Sequence, residues 1–249
     1  MTHEVQDQLE NQTEKIETLG RYSTLVASIQ NLDIRPTLPP WISRFLGYSK
    51  NGERHPIWLL RWLDVLKIPI CVEEFLSACF CTFAALACLS QVNLHSALSH
   101  LPIPVIYGPA GATAILLFTL PHSPASTPRS LLLGHLSASS ISTILTQTIL
   151  TFPEELQLSN QHNIATKIWL CSCASLTISL AFQIATNSVH PPGGAIALVG
   201  TSTPGLVKIG WAYIGWVMSE AFILLAFALF FGNIGRRTYP LYWWLPSKT

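Results

Sequence analysis

The chain has 249 residues, 49% hydrophobic and only 11% charged, with a formal net charge of +1 at neutral pH. Soluble proteins carry about a quarter charged residues, so this composition, with its long apolar runs, points to an integral membrane protein. A net charge near zero excludes a strongly basic nucleic-acid binder, and no nucleic-acid partner is expected.

Residues 1–35 are polar and rich in Glu and Gln, and they contain a sequon, Asn11-Gln12-Thr13, that matters only on a lumenal side. This stretch reads as a tail with a short helix around Lys15–Ile29 and has no signal-peptide pattern. Arg35–Trp41 reads as an extended linker because of its prolines. Trp41, Phe45 and Tyr48, with Arg44 and Lys50, suit a membrane interface. Pro56–Lys67 mixes Trp58, Arg61, Trp62, Asp64 and Lys67 with leucines, the pattern of an interfacial amphipathic helix. Residues 1–68 therefore precede a membrane domain over 69–231. Residues 232–249 form an interfacial tail with Arg236, Arg237, Trp243 and Trp244.

A spanning helix needs about 20 apolar residues. Pro69–Val92, Leu131–Phe152, Lys167–Thr186 and Val207–Phe231 meet that length; Val105–Leu120 and Pro191–Gly200 are shorter and interrupted by Pro and Gly. The expected fold is all-α, a polytopic helical membrane protein with four full spans plus two short broken segments. These are re-entrant or spanning, giving up to six crossings. The two short segments also suggest an internal repeat: Pro109-Ala110-Gly111-Ala112-Thr113-Ala114 lines up with Pro192-Gly193-Gly194-Ala195-Ile196-Ala197. Corresponding interrupted segments in two halves mark transporter sites.

Basic residues gather on the cytoplasmic side of a membrane protein. Six crossings would place Arg61, Lys67, Arg129, Arg236 and Arg237 together, and Glu154, Glu155, Lys167 and Lys208 opposite. Four would move Arg129 across. The charge pattern favours six, and both counts put both termini in the cytoplasm. Cys71, Cys79, Cys81, Cys88, Cys171 and Cys173 all fall in or beside apolar runs and read as packing residues.

The second broken segment, Asn187-Ser188-Val189-His190-Pro191-Pro192-Gly193-Gly194-Ala195, carries the densest set of special residues. Two prolines cannot sit inside a helix but can begin one. Gly193 and Gly194 would let a ligand approach the first turn, whose free N–H groups attract anions. His190 at the break would bind an anion or carry a proton, or else cap the helix. His135 lies inside an apolar run and should face protein or a watery path. Arg129 would attract an anion or set orientation. Glu220, an acid well inside the last span, is the proton-coupling candidate.

These residues resemble the HPP family of integral membrane proteins, named for the motif seen here as His190-Pro191-Pro192. Gly111–Phe118, then Pro121-His122-Ser123-Pro124 and Thr127-Pro128-Arg129, is similar to a second family signature. Gly134-His135 stands where Gly-Gly-His is frequent. Leu38-Pro39 through Tyr48, and Arg236-Arg237 with Tyr239 to Trp244, look like the ends of fungal members. Pro109-Ala110 replaces the usual Ser-Phe, Ser130 the usual Asn, and Gly232-Asn233 the usual Asn-Asn. Family members are generally described with four transmembrane helices, and some plastid and cyanobacterial ones are implicated in nitrite transport.

The resemblance implies a transporter or channel for a small inorganic anion, nitrite-like, moving through a lipid bilayer, with a homo-oligomer as a further expectation. The candidate substrate-binding residues are Gly108, Gly111, Thr113, Arg129, His135, His190, Pro191, Pro192, Gly193 and Gly194, with Glu220 for proton coupling. No cofactor or metal is expected. His95, His100, His122, His135, His162 and His190 show no metal-box spacing, and no catalytic motif appears, so an enzyme is not expected. A scaffold or sensor is the alternative.

Overall fold

The computed structural model describes residues 35–48, 65–96, 99, 104–149 and 161–243. The expected tail helix, the sequon, Lys50, residues 56–64, His100, Phe152, Glu154, Glu155 and Trp244 lie outside the described residues. So do the side chains of 161–166, His162 included. Among the described residues there are eight α-helices and no strand. They are α1 (Pro40–Phe45), α2 (Ile70–His95), α3 (Gly108–Thr119), α4 (Pro128–Ile149), α5 (Gln161–Ala185), α6 (Pro191–Ser202), α7 (Pro204–Ile209) and α8 (Ala212–Phe231).

Two sequence readings are corrected here. Arg35–Trp41 is not an extended linker: a 3-10 turn covers Arg35–Thr37, and α1 starts at Pro40, with the proline at its first position. Val207–Phe231 is not one span either. Gly210 takes φ +55, a left-handed conformation open to glycine, and this ends α7 before α8 begins.

Among the described residues three helices are long and apolar enough to span: Ile70–His95, Lys167–Ala185 and Ala212–Phe231, with mean hydropathies of 1.8, 1.7 and 2.1. Their exposed side chains include Phe75, Phe80, Phe83, Trp169, Phe182 and Phe222, a lipid-facing set. Helix α4 has the length, at 22 residues, but a different character. It is wrapped by α5, α6 and α8. Its buried hydroxyls donate to carbonyls one turn back, as in Ser139→His135 (2.7 Å), Ser142→Ser139 (3.0 Å) and Thr143→Ser139 (2.8 Å). Polar side chains are thereby tolerated at membrane depth.

The connections show how the chain runs. Asn93 at the end of α2 donates from Nδ2 to the Val105 carbonyl (2.9 Å) just before α3, while Phe118 at the end of α3 lies beside Glu74 and Phe75 at the start of α2. Helices α2 and α3 are therefore antiparallel over the length of α3. Helices α5 and α6 form a second antiparallel pair, matched at Ser172 with Thr201 (2.8 Å), Ser175 with the Ala197 carbonyl (3.3 Å), and Gln183 with the His190 amide (3.0 Å). Helices α4 and α6 run parallel, with Gly134 against His190 and Ser142 against Gly200.

The segment from Gly232 to Trp243 forms a strap across one end of the bundle. Arg44 donates to the carbonyls of Asn233 (2.9 Å), Ile234 (3.2 Å) and Gly235 (3.2 Å). Arg236 pairs with buried Glu73 at 2.6 Å, and the Tyr239 hydroxyl donates to the Ser126 carbonyl at 2.7 Å. This strap end holds the start of α2, the α3–α4 turn and the end of α8. The far end holds the end of α2, the start of α3 and α7. Helices α2, α3, α4, α5, α6 and α8 thus alternate in direction, and both short helices run from one end toward the other.

A shift of 83 residues, from Tyr107 to His190, lays α3 onto α6 residue for residue and α4 onto α8 to within one residue. Tyr107 and His190 are both extended N-caps, at φ −122 and −132, and each closes the first turn alike. Ala110 donates to Tyr107 O (3.1 Å) and Gly193 to His190 O (2.8 Å). The units α2–α3–α4 and α5–α6–α8 run in opposite senses, which makes an inverted repeat.

Single cysteines in a cysteine-free background test this path. Cysteines at His122 and Thr238 are expected to react with an impermeant maleimide from one side, and one at Lys208 only from the other. If α3 and α6 instead turned back, His122 would be labelled together with Lys208.

Candidate functional site

The site is built where α4, α5 and α6 meet. Thr127 caps α4, its Oγ1 accepting the Ser130 amide at 3.2 Å, with Pro128 at the first helical position. Beyond the end of α5 at Ala185, Asn187 takes φ +51, and the Ser188 amide closes back on the Gln183 carbonyl at 2.8 Å. The chain then runs extended through His190 into Pro191. That break places the His190 ring in the interior instead of along a helix surface.

Two backbones and the Gln183 side chain approach closely here. A β-carbon on Gly134 would lie 2.6 Å from the β-carbon of His190, and one on Gly193 would lie 2.9 Å from both the Gly134 carbonyl oxygen and Gln183 Nε2. Gln183 fixes the break, its Oε1 accepting the His190 amide (3.0 Å) and its Nε2 donating to Ser179 (3.2 Å).

His135 and His190 are fully buried, with ring centroids 5.0 Å apart. His190 Nδ1 lies 2.8 Å from the Ala125 carbonyl and His135 Nδ1 lies 2.9 Å from the Leu131 carbonyl. A carbonyl only accepts, so each Nδ1 carries the hydrogen, a tautomer assigned from the hydrogen-bond network. Each Nε2 is then a lone pair in the neutral ring, and neither has a partner among the described residues.

A second polar group lies on α8. Glu220 is 1% exposed, and neither of its carboxyl oxygens has a hydrogen-bond partner among the described residues. The buried Tyr107 hydroxyl is close enough to interact with it but falls short of hydrogen-bond geometry. Trp216 packs against Tyr107, the rings tilted by 38° with centroids 4.8 Å apart, and donates to Asn93 Oδ1 at 2.8 Å.

Thr113, His135 and Glu220 share one level. Each lies between a neighbour in the strap-end apolar cluster (Leu117, Leu131, Leu224) and one in the far-end cluster (Ala110, Ala138, Val217). A polar layer therefore separates two apolar cores, and Thr113 Oγ1 is also without a partner in it. Leaving a buried polar atom unpaired costs about 1–3 kcal/mol, so this concentration needs a reason.

The residues expected from sequence separate into groups. His135, His190 and Gly193 come together, and Pro191 and Pro192 open α6 as expected. The ring of His190 caps nothing, since it bonds Ala125 instead. Arg129 donates to the Thr186 carbonyl at the strap end, beside the segment leading to His190. Gly194 faces Leu176 on α5, whereas a β-carbon on Gly108 or Gly111 would meet nothing within 4 Å. The start of α6 offers an anion few N–H groups, because Pro191 and Pro192 have none and Gly193 donates to His190. Sequence reasoning passed over Gln183, Tyr107, Trp216 and Asn93. Tyr107 was legible through the repeat, as the counterpart of His190.

The HPP transmembrane-region family matches residues 68–240. A transmembrane protein of Dictyostelium discoideum is 29% identical over 175 residues, covering 70% of this chain and 57% of the relative. A second from the same organism is 34% identical over 143 residues, covering 56% of this chain and 42% of the relative. The chain thus spans about half the length of these curated relatives. No solved structure matches.

Two glycine substitutions separate the close contact from the open positions. Gly134→Ala is expected to cost about 1–3 kcal/mol through overpacking. Gly111→Ala, in open space within a helix, is expected to stabilise by up to about 1 kcal/mol. Unfolding of the purified protein by denaturant in mixed micelles reads both.

Proposed function

The chain belongs to the HPP transmembrane family, and from that premise we propose that it is a carrier, not an enzyme, that moves a small inorganic anion together with a proton. The buried His135–His190 pair carries this reading. Two Nε2 lone pairs repel an anion while the rings are neutral. A proton on either ring turns its Nε2 into a charged donor. Anion and proton then bind as a neutral pair, which avoids burying a lone charge in the bilayer. Nitrite, taken from the family resemblance, suits such a site because it is a small anion and the conjugate base of a weak acid.

Arg129 lies six residues before His135 on α4, about 9 Å toward the strap end. It is a fixed cation on the strap-end path, drawing the anion between the site and that end without entering the site. Arg44, Arg129, Arg236 and Arg237 all gather at the strap end, whereas Lys208 is exposed at the far end. By the positive-inside rule the strap end, with both termini, faces the cytoplasm.

Uptake of nitrite by liposomes containing the purified protein is the test. Uptake is expected to exceed that of protein-free liposomes and to rise as the outside pH falls. His190→Ala and His135→Ala, as folded and monodisperse proteins, are each expected to reduce the rate at least tenfold and to flatten the pH dependence. Wild-type rates in both variants would remove the pair from the mechanism. A wild-type rate equal to that of protein-free liposomes would leave a scaffold as the better reading.

A further inference from the structure

The repeat that maps His190 onto Tyr107 also relates their surroundings. His190 faces His135 on α4; Tyr107 faces Glu220 on α8, the counterpart of α4. Each N-cap side chain thus meets an ionisable group on the third helix of the opposite half, His135 and Glu220 standing two positions out of register under the 83-residue shift, and each pair leaves polar atoms unpartnered in the interior. The pairs differ in their nearer end. His190 is tied to Ala125 in the strap-end turn. Tyr107 follows Val105, whose carbonyl is held by Asn93 at the far end of α2.

We infer that Glu220 and Tyr107 form a second, proton-binding site, the repeat-related counterpart of the histidine pair, loaded from the far end. The inference rests on the proton-coupled reading above and adds where the proton is taken up. Glu220 gains a proton from the far side, with the Tyr107 hydroxyl as its immediate neighbour. The proton then passes within the polar layer to an Nε2 of the histidine pair, forming an N–H bond as the carboxyl O–H breaks. The carboxylate left behind takes the next proton.

The groups around Glu220 fit a proton better than a fixed positive charge. Tyr107 and Tyr213 are the titratable side chains that interact with it. Helix α4 brings His135 to the same layer, α2 contributes the amide of Asn93 through Trp216, and Lys208 on α7 is exposed. No Arg or Lys among the described residues forms an ion pair with Glu220. A buried carboxyl without a cation is kept neutral most simply by a proton.

Two measurements on the intact protein test this. Difference infrared spectroscopy across a pH titration is expected to show a protonated-carboxyl band in the wild type that is missing in Glu220→Gln. In liposomes with the membrane potential clamped, an inward gradient of one pH unit drives about tenfold accumulation of an anion carried with one proton. Wild type is expected to approach that ratio for nitrite. Glu220→Gln should fall to about onefold yet still exchange internal for external nitrite, and Tyr107→Phe should accumulate more slowly. Glu220→Gln that keeps both the band and the accumulation overturns the inference while leaving the histidine reading intact. Loss of exchange in a folded Glu220→Gln protein also overturns it, because Glu220 would then belong to the anion path. Wild type that carries no nitrite defeats the underlying reading, whatever the infrared result.

Discussion

The contact between Gly134 on α4 and His190 at the start of α6 leaves no space for a β-carbon, which would fall 2.6 Å from the next one. That approach brings the extended break between α5 and α6 into the bundle. Gln183 can then hold the His190 amide, and the ring can reach Ala125. A larger residue at 134 would push α6 outward and separate the two imidazoles. Both the parallel packing of α4 with α6 and the buried pair follow from this one absent side chain.

Helix α4 makes the arrangement tolerable in a membrane. Its neighbours α5, α6 and α8 cover its polar side, leaving Leu136 and Ile144 exposed, and its buried hydroxyls return their hydrogens to its own carbonyls. Among the described residues, the buried side-chain atoms that remain unpaired belong to two imidazoles, a carboxyl, a phenol and a threonine hydroxyl. Most buried Ser and Thr hydroxyls are satisfied locally, and Glu73, Tyr213 and Tyr239 have partners; these few atoms do not.

Much of the architecture was legible in the sequence. Apolar runs located the helices, and the matched Pro/Gly segments located α3 and α6, since two prolines can begin a helix but not continue one. The charge pattern also favoured six alternating segments. The division of the last span was less visible, because it depends on the left-handed backbone of Gly210. Arg35–Trp41 folded into turns because Ser43 donates to the carbonyls of Arg35 and Leu38, side-chain bonds that proline content does not reveal.

The site was legible in part. His135, His190 and Glu220 stood out as ionisable groups inside apolar runs. Their pairing did not, because His135 and His190 come from helices 55 positions apart brought together by glycine contacts. The glycines themselves divided in a way spacing cannot show: Gly134 and Gly193 are packed against neighbours, while Gly108 and Gly111 face open space.

Nitrogen-15 NMR of histidine-labelled protein in bilayers tests the central claim most directly, with His135→Gln and His190→Gln used for assignment. The account predicts that both Nε2 atoms are unprotonated in the nitrite-free protein near neutral pH, and that nitrite with a fall in pH protonates at least one of them. Nε2 atoms already carrying hydrogen, or no response to nitrite at any pH, would contradict it.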